Sequence, residues 1–97
     1  MDIPILDEVK KILKGDRQRE YGSPDKSLET IAQLWTTYIH TSLDVDLKIT
    51  PSDVCMMMVL LKVARQSNSK DRDSYRDIIG YSAIAGDLLH NEIKIDH

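Results

Sequence analysis

Thr50-Pro51-Ser52-Asp53-Val54-Cys55-Met56-Met57-Met58-Val59-Leu60-Leu61-Lys62-Val63-Ala64-Arg65 is the stretch on which the fold turns. Threonine followed by proline makes an N-cap and a first helical residue. Asp53 stands at N3, where its carboxylate can return to the threonine amide as the acid of a capping box. The helix announced there runs to about Ser67. From Val54 to Leu61 it is apolar on every side, which predicts a central helix. A chain of 97 residues buries only a modest fraction of its surface. A helix surrounded on all sides therefore requires tight packing or a second copy of the chain, and a homodimer or higher homo-oligomer is expected. The three methionines are expected to fill core gaps.

Two cations interrupt this apolar surface. At 100° per residue, Lys62 lies about 20° from Cys55 and about 60° from Val59, and Arg65 lies about 20° from Val54 and Met58. A charge in such surroundings needs an anion. Either the two side chains reach the helix end and pair with acids of the next helix, or at least one faces a polar cavity that receives phosphate.

Downstream, Ser67 to Arg72 reads as a polar turn and a fourth helix starts near Asp71 or Asp73, running to about Asn91. Its buried stripe is Tyr81, Ile84, Ala85 and Leu88, with Ile78 at the edge. Asp77 lies within about 40° of Tyr81, Ile84 and Leu88, inside that stripe, and Asp73 is one turn earlier on the same side. The two carboxylates are positioned either to share Mg²⁺ or to accept bonds from Lys62 and Arg65. Gly80 and Gly86, both within the helix, suggest close backbone packing.

Upstream, Leu28, Ile31, Ala32, Trp35, Tyr38 and Ile39 form the apolar stripe of a second helix, opened by Ser23 and Pro24. Glu29, Gln33, Thr36 and His40 are expected on its solvated side. Residues 44–50 read as a linker. Ile5, Leu6, Val9, Ile12 and Leu13 make one stripe of a first helix over 4–14, with Pro4 in its first turn and Gly15 as its C-terminal cap. Between these helices, 15–24 reads as an ordered loop. Its Arg17, Arg19 and Tyr21 either clamp a phosphate and stack on a base, or form a solvated loop anchored by the tyrosine. The pattern predicts one all-α domain over 1–97, a compact bundle of about four helices.

Composition narrows the function classes. The chain is 41% apolar and 30% charged, with no run of about 18 apolar residues, so no membrane span is expected. A net charge of −3 argues against binding a nucleic acid polymer. Cys55 stands alone, which excludes a disulfide framework and a CxxC site. Asp2 and Pro4 at the N-terminus do not fit a signal peptide, and the expected location is cytoplasmic. His40, His90 and His97 show no metal spacing.

The ordered set Asp16-Arg17…Tyr21-Gly22-Ser23-Pro24, Ile31-Ala32…Leu34-Trp35, Thr50-Pro51-Ser52-Asp53-Val54, Met57-Met58…Leu61-Lys62-Val63-Ala64-Arg65 and Asp73-Ser74-Tyr75…Asp77-Ile78…Gly80-Tyr81 resembles a family of small phage and prophage proteins of uncharacterised function. The likeness covers roughly residues 8–89. More distantly, the chain resembles the MazG-like all-α nucleoside triphosphate pyrophosphohydrolases, helical oligomers in which acids on two helices bind Mg²⁺. That resemblance implies Asp73 and Asp77 as catalytic and metal-binding acids, spaced by four residues and not three, with Lys62 and Arg65 as phosphate-binding cations. The glutamate cluster on an earlier helix of that family has no counterpart here, since Glu29 lies on the other face. Three functions follow as expectations: Mg²⁺-dependent nucleotide hydrolysis, sequestration of a nucleotide or nucleotide-derived signal, or a structural oligomeric interaction protein.

Overall fold

In the computed structural model, which describes residues 1–15 and 24–96, the described residues form four helices and no strand: α1 (Pro4–Lys14), α2 (Pro24–Leu43), α3 (Pro51–Gln66) and α4 (Arg72–Asp96). The proposed cap at Ser23 and the loop side chains Arg17, Arg19 and Tyr21 lie outside the described residues, as does His97. No helix among the described residues is long and apolar enough to cross a membrane.

The α3 start forms as its sequence dictates. The Asp53 amide donates to Thr50 Oγ1 at 3.2 Å, and the Thr50 amide donates to Asp53 Oδ2 at 3.0 Å. Both halves of the capping box are present, which satisfies two amide donors that the first turn would leave without partners. Asp71 does the same for α4, accepting the Ser74 amide at 2.7 Å and the Ser74 hydroxyl at 3.0 Å. The turn between them is clasped by one side chain: Gln66 donates to the Asp71 carbonyl at 2.9 Å and accepts the Asp71 amide at 3.2 Å. The backbone of α4 continues helical to Asp96, about five residues past the expected end.

Helix α3 packs against α4 most extensively and against α2 on another side, while α1 lies on α4. Val54 and Cys55 are fully buried where α2, α3 and α4 meet, with Leu28, Ala32 and Ala85 beside them and Trp35, Met58, Tyr81, Ile84 and Leu88 packed around. Residues 44–50 form no helix or strand, as the linker reading expects. Asp44 leaves α2 with φ of 53°, a left-handed conformation that aspartate tolerates better than most residues.

Five expectations require correction. Thr36 does not face solvent: its hydroxyl accepts the Ile49 amide at 2.8 Å and donates to the Ile49 carbonyl at 3.4 Å, pinning the linker to α2. It lies only about 40° from Ala32 on the helix, close enough to share the buried side. Tyr38, about 120° from Ala32, is exposed instead. Leu6 of the α1 stripe is exposed as well, leaving Val9 as that helix's buried residue. Met56 and Met57 are not core filler: both are exposed, whereas Met58 packs on the core. The glycines also part company. A Cβ on Gly80 would lie 3.9 Å from Val9 Cγ1, an ordinary contact under α1, and one on Gly86 would meet nothing within 4 Å.

Candidate functional site

The cations and acids read from the sequence collect around the C-terminal half of α3 and the first two turns of α4. Lys62 is only 15% exposed, and its Nζ lies 3.0 Å from Asp77 Oδ2, whose side chain is 34% exposed. Position 62 shares the side of α3 that carries Cys55, so its four-carbon stem runs along apolar surface before the ammonium meets the carboxylate on α4. The structure thus joins two residues that the sequence placed on facing stripes. Asp73 is 76% exposed and accepts from Arg76 Nη2 at 2.6 Å, an i, i+3 pair on α4. The two acids expected to share a metal therefore each have a cation in contact. Arg65 is exposed in the last turn of α3, and its charge helps hold the Asp71 carboxyl below its ordinary range, after the larger effect of the hydrogen bonds from Ser74.

A second group of charges was not singled out from the sequence. Glu8 of α1 receives both guanidinium nitrogens of Arg72, with Nη1 donating to Oε1 at 2.7 Å and Nη2 donating to Oε2. Arg76 Nη1 lies 3.6 Å from the same Oε1. The bidentate bond from Arg72 is the main reason the Glu8 carboxyl sits below its usual range, and in return the Arg72 guanidinium is pushed up. Arg76 Nε is buried and has no hydrogen-bond partner. Two guanidiniums thus converge on a single carboxylate, in the planar fork geometry that also grips phosphate.

Among the described residues, no group of three or more His, Cys, Asp or Glu side chains is gathered where a metal ion would bind. Asp73 and Asp77 are each engaged by a cation, which a metal ion shared between them would first have to displace. His40 and His90 are exposed, and Cys55 is buried in the core. The signal that could have exposed Glu8 was its place one residue before the buried Val9. Its partners stand 64 residues away, so no local pattern connects them.

Over residues 4–89 the chain matches the family described as a domain of unknown function, DUF6378. It is 37% identical over 81 residues to the Gene 55 protein of Mycobacterium phage L5, covering 82% of this chain and 49% of that protein. It is 32% identical over 95 residues to the Gene 55 protein of Mycobacterium phage D29, covering 97% of this chain and 59% of that one. The chain thus spans about half the length of the curated relatives it matches. No solved structure matches it.

Proposed function

We propose, from the premise that the chain belongs to the DUF6378 family of phage proteins, that its charged end binds a nucleotide or nucleotide-derived anion without hydrolysing it. The observation that carries this reading is the convergence of Arg72 and Arg76 on one carboxylate, with the Arg76 Nε–H buried and lacking an acceptor. A buried donor without a partner costs roughly 1–3 kcal/mol. A phosphate offers more acceptor oxygens than the Glu8 carboxylate and can take its place in the same fork. Lys62 and Arg65 add positive charge from α3.

Hydrolysis of the MazG-like kind is the less favoured form of this proposal. A Mg²⁺ at Asp73 and Asp77 has to break the contacts to Arg76 and Lys62, and no third acid stands with them among the described residues. Assembly as a homo-oligomer, as in the MazG-like proteins, belongs to the same reading.

The test is a thermal-shift screen of nucleotides, dinucleotides and cyclic nucleotides, with and without Mg²⁺, followed by product analysis. A ligand at one hundred times its dissociation constant adds about 2.7 kcal/mol, which raises the midpoint of a domain this size by roughly 10–20 °C. The expected result is stabilisation with intact ligand, diminished in Arg65→Ala, whose exposed side chain can be removed without disturbing the fold. No shift with any compound refutes binding, and Mg²⁺-dependent release of pyrophosphate replaces sequestration with catalysis.

A further inference from the structure

Helix α3 is apolar all round, yet α2 and α4 cover only part of it. Val54, Cys55 and Met58 face the core, and the opposite arc is open: Met56 is 50% exposed, Leu60 64% and Val63 52%, with Met57 and Leu61 also exposed. The centre of that arc, Leu60, lies about 160° around the helix from Met58. Along it, Asp53, Met57, Leu60, Ala64 and Ser67 follow one another at spacings of four, three, four and three, the alternation by which one helix presents a continuous seam to another. All five are exposed, and the only charge on the seam is Asp53 at its N-terminal end.

We infer that this seam is covered by the same seam of a second copy of the chain, running antiparallel about a two-fold axis at Leu60. The inference rests on the oligomeric part of the reading above and gives it a surface. Two features of the seam select this occupant and this direction. A parallel arrangement sets Asp53 against its own copy, two like charges in contact. The antiparallel one moves each Asp53 to the end of the partner helix that carries Arg65, where the charges are opposite. Size also matches: with Leu60 on the axis, Met57 meets Ala64 and Met56 meets Val63, so a long flexible side chain lies against a short one on both flanks. A two-fold interface must be complementary to itself, and this sequence of side chains is. An exposed apolar strip along one whole helix is otherwise rare on a monomer.

Light scattering on the full chain and on Leu60→Glu, with far-UV circular dichroism to confirm the fold, tests the surface. Cysteine pairing tests the register. Dimers, or multiples of them, are expected for the unaltered chain, and Leu60→Glu is expected to raise the dissociation constant about 30-fold or more. Because Leu60 is exposed, the substitution leaves the subunit folded. Under mild oxidation, Met57→Cys mixed with Ala64→Cys crosslinks as a heterodimer, while Met57→Cys alone does not, its two copies lying about 9 Å apart along the axis. The unaltered chain, whose Cys55 is fully buried, is the control. A monomer at high micromolar concentration overturns both the seam and the oligomeric reading. Assembly unaffected by Leu60→Glu overturns the seam alone, and self-crosslinking of Met57→Cys overturns the antiparallel register.

Discussion

Breaking the Lys62–Asp77 pair from either side should cost different amounts, and the difference can be worked from its geometry. At 3.0 Å and an effective dielectric near 20, the gross attraction is about 5.5 kcal/mol. Most of that is offset by removing the two groups from water. Exposed pairs retain about 0.2–1 kcal/mol, while stranding one member of a buried pair costs about 3–5 kcal/mol. With side chains 15% and 34% exposed, this pair lies between those limits, and a coupling of about 1–2 kcal/mol is expected. The asymmetry follows from burial. Asp77→Leu strands the more buried ammonium and should cost about 2 kcal/mol, whereas Lys62→Met leaves a carboxylate that water can still reach and should cost about 1 kcal/mol. The double variant Lys62→Met/Asp77→Leu should recover most of the loss. Urea unfolding at one fixed protomer concentration measures all four proteins, and 2 kcal/mol moves the midpoint by about 1.5 M. A double variant no more stable than the sum of the single losses predicts, with coupling near zero, refutes the argument that α3 and α4 are joined through this pair.

Two further outcomes are expected. Gly80→Ala should stabilise the protein by up to about 1 kcal/mol in thermal unfolding, because the added methyl meets Val9 Cγ1 at an ordinary 3.9 Å and helical alanine is preferred to glycine; a loss of stability there would mean that α1 sits closer to α4 than described. In acid, Glu8 and Asp71 carry carboxyls held below their ordinary values of 4.5 and 3.8, so the unfolded chain binds more protons and stability falls as pH drops from about 5 through the depressed folded-state values. Unfolding midpoints measured from pH 6 to pH 2 (spanning that window) should fall steadily, less so in Glu8→Gln; an unchanged slope in that variant would remove Glu8 from the acid response.

What was legible in the sequence was local. The capping box at Thr50 and Asp53, the four helices and the linker all rest on residues within a turn of one another, where backbone chemistry leaves few alternatives. The Lys62–Asp77 contact was legible as one of two readings, since both residues interrupt apolar stripes and an isolated charge there needs a partner. The Glu8 contacts to Arg72 and Arg76 were not, because each residue alone looks like an ordinary surface charge and only tertiary packing brings α1 onto α4. Thr36 was misplaced because its helical angle falls at the border of the stripe, where the Ile49 backbone, and not polarity, decides which way it faces. The methionines failed for another reason: periodicity states that a face is apolar, not that anything within the same chain covers it.

The attachment of α1 bears on the order in which the protein is made. Its anchors, Val9 under Gly80 and Glu8 between two arginines, all lie on α4, and Arg72 follows Glu8 by 64 residues. At about 5–20 residues per second, a ribosome needs roughly 3–13 s to add that length of chain. Throughout that interval α1 exists with its docking surface unmade, while α2 and α3 can already meet. Of these four helices, α1 is thus made before the others yet is among the last of them to be placed, because its docking waits on the translation of α4.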